Sequence, residues 1–189
     1  MRGMLRDRQG AAAIETALAL PIVILVLISA FELGGVMVTE MLMEGAVRQA
    51  SRIGMTNFKR PGMTREDTIT AILEEGTLGF VDISKARVEK LVYKDFDSVG
   101  KPEPLTKDVN GNGVYDAADG DTYTDINGND QWDADMGVPD LGGPGDVVLY
   151  SVTYDYHSLT GLLSPLFGSN GTLQLKASTV IRNEPFPGD

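Results

Sequence analysis

The sequence predicts an α+β protein: one long N-terminal helix laid on a small antiparallel sheet, with an acidic insertion between strands. Three observations carry that expectation. From Thr16 to Phe31 no side chain is charged, and the helical spacing of apolar residues continues well beyond. Three later segments, 86–94, 146–156 and 172–182, alternate apolar and polar residues as half-buried strands do. Between the first two lies segment 108–140, which holds nine aspartates and no Lys, Arg or His, and so carries most of the chain's net charge of −11.

The first helix is read from about residue 11 to 55. At 1.5 Å per residue, Ala11 to Phe31 makes roughly 30 Å, the hydrocarbon thickness of a bilayer. Residues 11–33 are therefore expected to span a membrane, with Glu15 as a carboxylate inside the span, where ionisable groups mark function. Residues 1–10 form a leader in which Arg2, Arg6 and Arg8 outnumber Asp7. That bias places the N-terminus in the cytoplasm and the rest outside, periplasmic or extracellular. A secretory signal cleaved near Ala30 is the alternative, but its apolar region would be too long and Ile28 is a poor residue before such a site. Pro21 removes one helical hydrogen bond and predicts a kink. Residues 34–56 continue as an amphipathic extension, with Val36, Met43, Val47, Ala50 and Gly54 on one face and Glu44 and Arg48 as an i,i+4 pair.

Pro61-Gly62 ends that helix, and residues 57–189 are read as an extracytoplasmic domain. Thr64 is an expected N-cap for a short helix ended by Gly76. Segment 157–170 is expected to be a loop with one helical turn at 159–163. The chain has no cysteine, so neither disulfides nor thiolate chemistry arises. Its acidity argues against a nucleic-acid partner. His157, the sole histidine, reads as a surface residue, and no hydrolase or phosphate-binding motif occurs, so catalysis is not expected.

The N-terminal wording, Gly10-Ala11-Ala-Ala-Ile-Glu15 and, after Thr16, Ala-Leu-Ala-Leu-Pro-Ile-Val, resembles a prepilin-type signal and, more narrowly, the TadE-like pseudopilins of tight-adherence pili, with Thr16 where that family commonly has an aromatic residue. The resemblance implies a pilin-like fold and cleavage after Gly10 by a prepilin peptidase. It also implies a mature N-terminus at Ala11, Glu15 at the fifth mature position, and partnership with other pilin subunits at the bacterial inner membrane. The closing Val180-Ile181-Arg182-Asn183-Glu184-Pro185-Phe186 resembles the last strand of that family.

The acidic insertion carries a second expectation. Counting Asp108 as position one, oxygen side chains stand at one, three, five, nine and twelve (Asp108, Asn110, Asn112, Asp116, Asp119), with Gly113 at six and the carbonyl of Val114 at seven. This is the spacing of an EF-hand-type calcium loop, with the terminal Asp of dockerin-like loops. Seventeen residues on, Asp125, Asn127, Asn129, Gln131 and Asp133 repeat it, without Gly at six or an acid at twelve; Asp135, Asp121 or Asp140 would complete that shell. The pair resembles bacterial thrombospondin-type-3-like repeats. One or two calcium ions are therefore expected. A membrane-anchored or secreted calcium-dependent adhesion module is the alternative to a pilus component.

Overall fold

The computed structural model describes residues 8–168 and 170–185. Arg2, Arg6 and Asp7 of the leader, and Phe186, lie outside the described residues.

The first element, α1, runs unbroken from Arg8 to Gly54 through Pro21. Its apolar side chains up to Leu33 are mostly exposed, Leu18 at 70% and Ile22 at 65%. A helix apolar on all sides requires an apolar environment around it, and α1 is long and apolar enough to cross a membrane. The character changes farther along, where Met43, Ala46, Val47 and Ala50 are buried to 1% or less and form the centre of a core. The anticipated Glu44–Arg48 pair forms at 3.1 Å on the solvent side.

Helix α2 (Arg65–Gly76) starts where capping chemistry dictates. Thr64 accepts from the Asp67 N–H at 3.0 Å, and Asp67 accepts from the Thr64 N–H at 3.1 Å, closing a capping box. Ile69, Ile72 and Leu73 enter the core. Gly76 lies against α1: a Cβ there would meet the Ala46 Cβ at 2.7 Å.

The main sheet is built from β1 (Arg87–Tyr93), β4 (Val138–Pro139), β5 (Val147–His157) and β6 (Thr172–Arg182), in the order β4-β1-β5-β6. Strand β1 (Arg87–Tyr93) pairs antiparallel with β5 (Val147–His157) in the register Arg87↔Thr153 to Tyr93↔Val147. Strand β6 (Thr172–Arg182) flanks β5 on the other side, with Leu175 and Ala177 buried and Gln174, Lys176 and Ser178 exposed. The three expected strands thus appear within a residue of their expected ends. Strand β5 differs in burial, being central and covered on both faces from Val147 to Thr153 apart from the half-buried Leu149, so its alternation is lost there. Its Tyr150 packs where Gly54 leaves room, since a Cβ on Gly54 would come within 2.2 Å of the phenolic oxygen.

Three short strands were not expected. β2 (Leu105–Lys107) and β3 (Thr122–Tyr123) form a separate two-stranded sheet, and β4 (Val138–Pro139) pairs with β1. The acidic segment is therefore a folded excursion from the sheet.

Two compact units emerge. Helical residues up to 41 group with residues 155–175, and residues 42–154 group with the chain from 176 onward.

Candidate functional site

Within the second unit, the acidic segment forms two loops of matching construction. In the first, Asp108 accepts the N–H groups of Gly111 (2.7 Å) and Gly113 (2.8 Å). Asn110 accepts from the Asn112 N–H (3.0 Å), and Asn112 from the Val114 N–H (2.7 Å). In the second, Asp125 accepts from Gly128 (2.6 Å) and Asp130 (2.8 Å), Asn127 from Asn129 (3.1 Å), and Asn129 from Gln131 (2.7 Å). Positions one, three and five thus accept from the same positions four, six, five and seven in both copies.

The backbone repeats as well. Position six is left-handed in both loops, at φ 74° for Gly113 and φ 60° for Asp130. Glycine takes that conformation without steric cost, and aspartate is among the few other residues that tolerate it. The missing glycine of the second loop therefore does not change its course.

Each loop also rests on a buried carboxylate that the repeat pattern does not contain. Asp121, 6% exposed, accepts the N–H groups of Val109 and Asp116, both at 2.9 Å. Glu103, 1% exposed, accepts those of Ile126 (2.6 Å) and Asp133 (3.2 Å). Val109 and Ile126 are both position two, and Asp116 and Asp133 both position nine. Asp121, a candidate from spacing to complete the second loop, thus accepts from two N–H groups of the first. Asp135 accepts from the Tyr93 hydroxyl at 2.8 Å, and Asp140 accepts from the Leu141 N–H. Glu103 lies outside the acidic segment and was missed. Its signal is the frame Pro102-Glu103-Pro104, which holds a lone acid in extended backbone.

The aromatic residue at position eight joins the copies. Tyr115 and Trp132 stack with ring centroids 5.4 Å apart and planes 21° apart, and Tyr123 meets Tyr115 edge-on at 5.1 Å. The Trp132 indole N–H donates to the Glu103 carbonyl at 3.1 Å.

Electrostatics follow from these contacts. Backbone N–H groups, foremost that of Gly113, hold the Asp108 carboxyl below its usual range. Asp125 is lowered in the same way, foremost by the Asp130 N–H. The asparagine amides oppose the like charge: Asn110 Nδ2 donates to Asp119 at 2.5 Å, and Asn127 and Asn129 Nδ2 donate to Asp133 at 2.6 and 2.7 Å.

Among the described residues, no three His, Cys, Asp or Glu side chains gather as a metal-binding group. What each loop assembles is a mixed set of carboxylate and amide oxygens. Asp125 Oδ1 and Asp133 Oδ2 each accept two N–H donors, whereas both oxygens of Asp108 and the amide oxygens of Asn110, Asn112, Asn127 and Asn129 accept one and keep a further lone pair; all-oxygen donor sets of this kind suit calcium.

The other expected site residues lie on α1. Gly10, Ala11 and Glu15 are helical and exposed. Residues 10–52 match the family model described as TadE-like protein, which supports a component associated with the Tad pilus. No curated protein and no solved structure matches the chain.

Proposed function

We propose that this chain is a minor pseudopilin, a structural and assembly component of a Tad-type pilus. Residues 11–33 anchor it in the inner membrane, with residues 1–10 in the cytoplasm and the domain from residue 57 outside. The observation that carries this reading is the TadE-like match over residues 10–52, which falls on a single helix with an apolar, exposed first half. That family is a structural one, and the reading assigns no catalysis. In this reading a prepilin peptidase cuts after Gly10. Glu15 then faces the new α-amino group of Ala11 on a neighbouring subunit, so that an ion pair offsets the cost of a carboxylate in the membrane.

Calcium completes the proposal. Asp108, Asn110, Asn112, Asp116 and Asp119, with the Val114 carbonyl, would hold one ion. Asp125, Asn127, Asn129, Gln131 and Asp133 would hold a second. The support is the matched construction of the two loops. A bound divalent cation would neutralise charge that no basic residue within 108–140 offsets, and would so brace a domain that has no disulfides.

Intact-mass and N-terminal analysis of the mature protein tests the assignment. A chain beginning at Ala11 is expected, and replacing Gly10 with a bulky residue should leave the leader attached. A mature chain that keeps Met1, or that has lost the helix, would favour an anchored or secreted calcium-dependent adhesion module instead.

A further inference from the structure

The first unit contains a second apolar element. From Ser158 to Leu175 the chain carries no charged side chain. Leu159, Leu162 and Leu166 are nevertheless exposed, at 58%, 46% and 79%. Leu162 lines one groove of about 650 Å³ with Pro21, Ile24, Leu25 and Ile28 of α1. Glu32 lies farther along α1, fully buried. Its carboxylate accepts from Ser158 Oγ (2.9 Å), the Leu159 N–H (3.0 Å), the Thr160 N–H (2.5 Å) and Thr160 Oγ1 (2.6 Å). At 1.5 Å per residue, Ile28 and Leu25 lie roughly 6 and 10 Å before Glu32 along the helix. The loop therefore returns alongside the helix, toward the middle of its apolar run.

Most of its backbone N–H groups, all but those of Ser158 and Leu163, have acceptors within the protein. Irregular chain at membrane depth must have its polar groups satisfied from within the protein. Beyond the two N–H groups on Glu32, that of Gly161 donates to Ser158 Oγ (2.9 Å) and that of Leu162 to Thr160 Oγ1 (3.3 Å). Those of Ser164, Leu166 and Phe167 donate to the carbonyls of Gly161, Leu163 and Ser164 at 3.3, 2.8 and 3.2 Å. Pro165 has no N–H to satisfy.

We propose that residues 158–167 form a membrane-inserted loop, with Leu159, Leu162 and Leu166 in the acyl chains of the leaflet that meets the C-terminal end of the apolar run. The occupant of the groove edge is then lipid, because the surface is continuous with the helix face that the bilayer covers. Glu32 is the polar pin that holds the loop at that depth. The proposal rests on the reading of residues 11–33 as a membrane span.

Because the chain has no cysteine, single spin labels can be placed at will. The full-length protein would be reconstituted in phosphatidylethanolamine–phosphatidylglycerol vesicles, with labels on Leu162→Cys, Leu166→Cys, Val23→Cys or Val114→Cys. Relaxation by oxygen, which concentrates in lipid, is compared with relaxation by a water-soluble nickel chelate. The ratio at 162 and 166 should approach that at 23 and exceed that at 114 several-fold. A ratio at 162 and 166 matching that at 114 would overturn the proposal. Protection from both reagents would also overturn it, since a second copy rather than lipid would then cover the loop. If the label at 23 itself reads as aqueous, it is the anchor reading that fails.

Discussion

Two irregular segments, 108–140 and 158–171, leave the same sheet with opposite chemistry. The first carries nine aspartates, and the second carries no charge at all. Both must satisfy backbone N–H groups that no strand or helix takes up, and both use carboxylates to do so. The acidic segment supplies its own, with Asp108, Asp125 and Asp121 accepting from within and only Glu103 recruited from outside. The uncharged segment has no acid to spend, and its acceptor comes from α1 as Glu32. A loop that must stay apolar can thus borrow its polar anchor from a neighbouring element.

The largest effect is expected where the borrowed anchor is removed. Glu32→Ala strands two N–H groups and two hydroxyls at a buried site, where each unsatisfied group costs about 1–3 kcal/mol. A loss of about 3 kcal/mol or more is expected in detergent-solubilised protein, with early proteolytic cleavage near residue 162. Glu32→Gln, which keeps one acceptor, should fall between. Unchanged protease resistance in Glu32→Ala would show that the loop stands without its pin.

Calcium should act on the other segment alone. At a hundredfold excess over Kd, an ion that binds only the folded state adds about 2.7 kcal/mol. Thermal melts in calcium and in chelator should differ by several degrees, and Asp108→Ala should remove much of the gap. The Glu32→Ala variant should keep the full calcium response. Equal melts in calcium and chelator would remove the metal from the comparison.

Glu103→Gln sharpens the contrast within the acidic segment. It should cost about 1–2 kcal/mol, because both N–H groups lose a charged acceptor and one of them is left facing the amide NH2. Hydrogen exchange should quicken at Ile126 and Asp133 and stay unchanged at Val109 and Asp116, which rest on Asp121.

Acid should have the smallest effect. Asp108 and Asp125 titrate below the ordinary value of 3.8, so their stabilisation is complete above that pH. It is lost as pH falls through their lowered values. The second-unit loops should therefore hold at pH 5 and loosen only below about pH 4, as followed by amide exchange.

How much of this was legible follows from the lengths involved. Helix α1 and strands β1, β5 and β6 run for seven residues or more, long enough for periodicity to speak. β2, β3 and β4 have two or three residues each and give no period to read. The helical turn expected at 159–163 is instead a 3-10 turn at Ser164–Leu166, started by Pro165 after a left-handed Gly161. In the loops, spacing located Asp108 and Asp125 because neighbours in sequence converge there. Glu103 stands 22 residues before Asp125, and Glu32 126 residues before Ser158. Such pairings depend on topology, which no local pattern encodes.

The stack of Trp132 on Tyr115 has one more consequence. The chain contains a single tryptophan, and it sits at the seam of the two acidic loops, half-buried, with its indole N–H on the carbonyl of Glu103. Emission excited at the red edge of the absorption band, where the six tyrosines scarcely absorb, is therefore a reading of that seam. Any event that parts the loops alters the wavelength and yield of one indole, so the molecule carries its own optical gauge.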